Sequence, residues 1–144
     1  MSNYAKDEAR IRQIIEDMFA AVSWSETAAP DFEGFAKAVR KDAVLVPSAR
    51  PVNPTDIETF VGRMSGQYAT GAMKTFEERA HKTVVKVFGN LAVAIGSYEA
   101  RIDGGPLGRG ANGFLFVRNE GDWQIAAMGW DNEGEDKPLP PELV

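Results

Sequence analysis

Ile11, Ile14, Ile15, Met18, Phe19 and Val22 recur at helical spacing, with charged residues between them. That pattern predicts an amphipathic helix from about Tyr4 to Ser23. "ETAAP" interrupts it, and Asp31 then stands where it can cap a second, shorter helix carrying Phe32, Phe35, Ala36 and Val39. "AVLVP" reads as a short buried strand stopped by Pro47. A third helix opens at Pro54, with Thr55 and Glu58 as a capping box. It places Ile57, Phe60, Val61, Met64 and Tyr68 on one stripe before Gly71 ends it.

After Gly71 the period changes. "KTFEERAHKTVVKVF", "LAVAIGSYEARI", "GANGFLFVRN" and "DWQIAAMGWD" are long and rich in β-branched and aromatic residues. Gly89–Asn90 and "NEGD" are hairpin turn signals, whereas "DGGPLGRG" is a looser glycine-rich link. Helices first and hairpin-linked strands after predict an α+β fold, with three N-terminal helices packed on one face of an antiparallel or mixed sheet. No repeat or linker divides the chain, so residues 1–144 read as one domain. The tail from about residue 134 is expected to lie loosely on the surface.

Composition narrows the function classes. The 144 residues are 44% hydrophobic and 26% charged, enough for one real core. The net charge is −5 and the basic residues do not cluster, so no nucleic-acid footprint is present. With no cysteine and a single histidine, disulfides, thiol nucleophiles and a His/Cys zinc site are excluded, and no metal or cofactor is expected. "MSNYAKDEARIRQ" lacks the apolar centre of a signal peptide, and no run approaches the ~20 apolar residues of a membrane span. A cytoplasmic protein with no membrane partner is the expectation. "GRGANG" matches a dinucleotide-binding glycine pattern in form only, because it leads into a strand instead of a helix.

Three runs carry a family resemblance: "FGNLAVAIGSYEAR", "RGANGF", and "RNEGDWQI" continuing to "WDNE". With the order of elements, they make the chain resemble the nuclear transport factor 2-like (polyketide cyclase-like) superfamily over about Tyr4 to Glu133, and more narrowly a bacterial branch of it. The resemblance implies a strongly curved, cone-shaped sheet around the helices, a cystatin-like roll with a cavity at its open end. Members include ketosteroid isomerases, dehydratases, epoxide hydrolases and polyketide cyclases, and also non-catalytic binding modules, so the fold leaves function open. The isomerases' base aspartate falls at Val46, their oxyanion-hole tyrosine at about Met18, and their protonated aspartate at about Gly113. None of the three is kept. The Arg-x-Asp pair of the epoxide hydrolases is matched by Arg101 and Asp103, but its third carboxylate falls near Met128.

Face assignments give the candidate site. Strict alternation puts Trp123, Ile125, Ala127, Gly129 and Asp131 on one row, and Gln124, Ala126, Met128 and Trp130 on the other. Met128 and Trp130 are expected in the cavity and Trp123 in packing. Tyr98 shares the inner row of Ala92, Ala94 and Gly96, which sends Glu99 and Arg101 outward unless a bulge after Tyr98 turns them in. The resemblance favours the pocket for both. Asn112 heads an aromatic row with Phe114 and Phe116, and its amide can orient a ligand carbonyl or hydroxyl. His81 shares a row with Glu77, Arg79, Thr83, Val85 and Val87, and reads either as an exposed strand residue or as an inward one.

The expected ligand-binding set is thus Tyr98, Glu99, Arg101, Asn112, Met128 and Trp130, with Glu99 and His81 the candidates for general acid–base work. Two functions fit: a domain binding a small hydrophobic or mixed-polarity molecule, or a cyclase, dehydratase or isomerase-type enzyme. Apolar residues on both rows of "GFLFV" and "DWQIAAM" predict a homodimer through the outer sheet face.

Overall fold

The stripe from Ile11 to Val22 is buried, and it forms one side of the first helix, α1 (Ala5–Val22). The computed structural model describes residues 3–144. Helix α2 (Phe32–Lys37) is capped as expected, with the Asp31 carboxylate accepting from the Gly34 amide at 2.9 Å. Val39 does not extend that helix. It opens the first strand, β1 (Val39–Val46), which is longer than "AVLVP".

In α3 (Ile57–Ala69) the cap is Asp56, accepting from Thr59 N at 2.7 Å, so the expected Thr55–Glu58 capping box is not formed. The reason lies one residue upstream. Thr55 exchanges two backbone hydrogen bonds with Leu45, of 2.8 and 2.9 Å, and is held as an isolated bridge outside the helix.

Four long strands follow: β2 (Phe76–Phe88), β3 (Leu91–Ile102), β4 (Gly108–Arg118) and β5 (Trp123–Asn132). With β1 they make one mixed sheet of order β1-β5-β4-β3-β2, in which only β1 and β5 run parallel. The helices cover one face, and the core lies between them and the sheet.

The register is unbroken between β3 and β4, from Leu91 opposite Val117 to Ala100 opposite Gly108. Each flanking strand, however, carries one extra residue. In β2, His81 and Lys82 share the single partner Ser97, whose Oγ accepts from Lys82 N at 3.1 Å. In β5, the pairing steps from Ile125 to Ala127 while β4 advances by one residue, so Ala126 is the insertion.

A bulge bends its strand and shifts side-chain parity beyond it. Trp123 and Ile125 therefore point inward on one side of Ala126, and Met128 and Trp130 point inward on the other. Strict alternation, which separated these pairs onto opposite faces, fails at that residue. Trp123 is 3% exposed, and its indole N–H donates to Asp7 at 3.1 Å, the carboxylate that also pairs with Arg118 at 2.6 Å. A buried tryptophan with its N–H satisfied is a packing residue.

The C-terminal segment is pinned, contrary to the loose tail expected from about residue 134. Glu133 accepts two bonds from Arg109, of 2.9 and 3.0 Å, and one from Leu139 N at 3.0 Å. Lys137 reaches Asp131 at 3.0 Å. A short 3₁₀ turn, Pro141–Leu143, then packs against β2 with Leu143 only 1% exposed. One large apolar side chain supplies the anchor that the polar, proline-rich composition of the tail conceals.

Gly110 faces Tyr98 across the β3–β4 register. A Cβ there would collide with the Tyr98 hydroxyl and with the Asp131 carbonyl. Gly113, on the same strand, has open space around it. Gly110→Ala is therefore expected to lower stability by about 1–3 kcal/mol through overpacking, while Gly113→Ala stays within about 0.5 kcal/mol. Urea unfolding of the two variants checks this, and equal effects would show that the Tyr98 contact does not constrain Gly110.

Candidate functional site

Between the helices and the inner face of the sheet lies a cavity of about 170 Å³. Helix α1 contributes Met18, Phe19 and Val22, and α3 contributes Phe60 and Met64. The sheet contributes Phe76 and Glu78 from β2, Asn112 from β4, and Met128 and Trp130 from β5. Trp130 stands edge-on to Phe60, with ring centroids 5.5 Å apart. Among the lining residues only Glu78 and Asn112 are polar.

Glu78 is the group that alternation hides. Phe76 and Ala80 precede the bulge and Val85 and Val87 follow it, and all four pack on the core. Counting back from Val85 without the extra residue would put Glu77 inside and Glu78 outside. Residue 78 is further fixed by Ser23 at the end of α1, whose Oγ accepts from Glu78 N at 2.9 Å and donates to Phe19 O at 2.8 Å.

The carboxyl has no cation within salt-bridge distance among the described residues. Burial pushes its pKa up from 4.5 to about 7. The residue keeps an intermediate share of its surface where it meets an open groove lined also by Ser23, Arg79, Glu99, Ala100 and Arg101. The apolar mass around it still dominates, so the carboxyl holds its proton where an ordinary glutamate has lost it.

Asn112 shares the inner row of Phe114 and Phe116 and is 5% exposed. Its Oδ1 has no hydrogen-bond partner among the described residues. Tyr98 lies on the same inner face, 6.5 Å from the Phe19 ring, but outside the cavity lining. Its hydroxyl donates to Asn132 Oδ1, and burial, with the negative charges of Glu78 and Asp131, pushes its pKa up to about 12. Tyr98 therefore keeps its proton and has already committed it.

The other expected site residues lie outside this cavity. Strand β3 has no bulge after Tyr98, so Glu99 and Arg101 are not turned into this cavity as expected; they border instead the open groove that also touches Glu78. Glu99 pairs with Arg79 at 2.6 Å on the outer face, and Arg101 donates to the Gly105 carbonyl at 2.8 Å. His81 sits in the β2 bulge and is exposed, so the inward alternative for it also falls.

Of the matched epoxide hydrolase positions, Asp103 accepts from Lys74 N and Thr75 N, at 2.7 and 2.9 Å, and serves as a loop staple. Met128 lines the cavity but brings no carboxylate. Among the described residues no three histidine or acidic side chains converge where a metal ion would fit. A carboxyl and an unpaired amide opening on an apolar space can bind a small molecule and move a proton on it.

No family model and no curated protein matches the sequence. Solved structures do. A nuclear transport factor 2-like protein of unknown function from Pseudomonas putida aligns at TM-score 0.71 and 19% identity, over 100% of this chain and 99% of its own. A cystatin-like fold protein of unknown function from Nostoc punctiforme gives TM-score 0.72 at 11% identity, over 94% of this chain and 97% of its own. A candidate scytalone dehydratase from Novosphingobium aromaticivorans gives 0.72 at 11%, over 96% and 92%. At such identities the likeness establishes architecture: the chain has the nuclear transport factor 2-like, cystatin-like α+β fold.

Proposed function

We propose that the cavity holds a small, largely apolar molecule and that Glu78 exchanges a proton with it. The observation that carries this reading is an uncompensated carboxyl in the wall of an apolar cavity, with its pKa pushed to about 7. A glutamate poised near neutral pH can act as base or acid with little driving force lost in either direction. Such a group costs stability, and groups of that kind concentrate at functional sites. Because Glu78 is the one titratable side chain in the lining, the chemistry that fits is a single-group proton transfer. An isomerisation, in which one carboxyl takes a proton from one carbon and returns it to another, or a dehydration, in which it passes that proton to the departing hydroxyl so that water leaves, meets that condition.

A second reading, binding without turnover, is favoured by the partnerless Asn112 Oδ1 and by the lack of a second acid or base in the lining. The two are separated by solvent exchange. A small ring ketone such as cyclohexenone, incubated with the protein in D₂O, is expected to gain deuterium beside its carbonyl, faster as pH rises and levelling above about 7 as Glu78 ionises. Glu78→Gln should reduce exchange to the uncatalysed rate. Exchange that survives in Glu78→Gln would remove the proton-transfer role.

The same carboxyl leaves a mark on stability. The folded protein holds this proton more tightly than the unfolded chain, so its contribution is full below about 4.5 and declines until pH passes about 7. The shift corresponds to roughly 3 kcal/mol. Relative to the native protein, Glu78→Gln should be more stable by up to that amount at pH 8 and nearly equal at pH 4.5. Urea unfolding at both pH values tests this, and a difference independent of pH would place the carboxyl in solvent.

We also propose that the outer sheet face pairs with a second copy of the chain. Val84, Val93 and Ile95 are 39%, 51% and 47% exposed there, with Val84 opposite Ile95 in the β2–β3 register. A contiguous apolar patch of this kind is a frequent interaction site. Light scattering at micromolar concentration is expected to give twice the monomer mass, and Val93→Glu with Ile95→Glu should return the monomer. A native protein that scatters as a monomer would end the idea.

A further inference from the structure

The cavity has a chemical bias beyond being apolar. Every methionine after the first residue lines it: Met18, Met64, Met73 and Met128. The remaining apolar lining is aromatic except for Val22, and no leucine or isoleucine takes part among the described residues. Thioethers are polarizable and make favourable contacts with aromatic rings, especially at the ring edge. Aromatic walls such as Phe60 and Trp130 accept another ring edge-on or offset. A volume of about 170 Å³ is close to that of an apolar cavity known to hold one benzene ring. Flexible methionine side chains allow it to open further.

Polarity adds direction. Asn112 lines the cavity at 5% exposure, and its Oδ1 is buried without a partner; a turn of the amide would present that acceptor to the cavity, where it would take a hydrogen-bond donor. Glu78 is the only charged or chargeable side chain in the lining, and no cation is present there to receive an anionic ligand. Resting on the reading that the cavity holds a small molecule, we infer that its ligand is a neutral aromatic ring bearing a hydroxyl or N–H donor, bound with that donor on Asn112 Oδ1. The ring lies among the methionines.

Phenol, anisole, toluene and benzoate, titrated into the native protein at pH 6 by calorimetry, separate the elements of the inference. Phenol is expected to bind at least about tenfold more tightly than anisole or toluene, since only phenol can satisfy the buried acceptor. Benzoate should not bind detectably. Asn112→Leu, shown to be folded by circular dichroism, should reduce the phenol preference to less than about twofold, and Glu78→Gln should retain it. Equal affinities for phenol and anisole in the native protein would overturn the inference even if Asn112→Leu does not fold. So would a preference that survives Asn112→Leu, or one abolished by Glu78→Gln, which would put the donor on the carboxyl. No binding up to about 10 mM would overturn it as well. These affinities involve no turnover, so loss of the proton-transfer role leaves them unchanged, and failure here leaves the deuterium exchange intact.

Discussion

Side-chain parity is the constraint on which the rest of this structure depends. A strand sends alternate residues to opposite faces, and the only way to change which set faces inward is to add or remove a residue. The central β3–β4 pair keeps one register throughout, and so fixes Tyr98, Asn112, Phe114 and Phe116 on the inner face. The strands on either side each change parity once, at His81–Lys82 in β2 and at Ala126 in β5. Without the first change Glu78 would face solvent. Without the second, Met128 and Trp130 could not face inward together with Trp123 and Ile125.

The two ends of α1 are fixed to the sheet by different means. At the N-terminal end, Asp7 receives both Arg118 and the Trp123 indole, and the Arg118 guanidinium stands 4.6 Å from the centre of that ring. At the C-terminal end, Ser23 bridges Phe19 and Glu78. A helix held at both ends keeps Met18 and Phe19 in place over the cavity. The electrostatic contrast is large: at one end a carboxylate with two donors, at the other a carboxyl with no cation. An unpaired buried charge is expensive, so Glu78 resolves its position by keeping its proton.

Much of the fold was legible because helical and hairpin signals are local. The α1 stripe, the Asp31 cap, the Gly89–Asn90 turn and the order of the strands all follow from short spacings. Asn112 could be placed in the lining because Phe114 and Phe116 set its row, whereas alternation put Met128 and Trp130 there only by sending Trp123 and Ile125 to the other face, which the bulge at Ala126 reverses. Glu78 was not legible by alternation, since a bulge leaves no composition signature of its own. A signal did exist. Phe76 and Ala80 suit a core row, while Val85 and Val87 form another of opposite parity, and the two can share a face only if a residue is inserted between them. The same reasoning applied to β3 sought a bulge after Tyr98, one strand away from where it lies. Resemblance to other proteins pointed Glu99 and Arg101 inward, but unbroken pairing with β4 decides their face. Asp56, not Thr55, caps α3 because backbone pairing with Leu45 had already taken the threonine.

The clip between α1 and β2 has a consequence for solubility. Strand β2 ends the sheet, and at 13 residues it is the longest strand, a shape that invites another chain to add by edge pairing. Its free side is not left open. Trp24 takes both backbone groups of Phe76, at 2.8 and 3.0 Å, Ser23 takes Glu78 N, and Arg12 donates to the Thr83 carbonyl. Between these contacts the extra residue at His81–Lys82 breaks the even spacing that an incoming strand would need. The bulge that re-aims a carboxyl into the cavity thus also protects the sheet margin against templated aggregation.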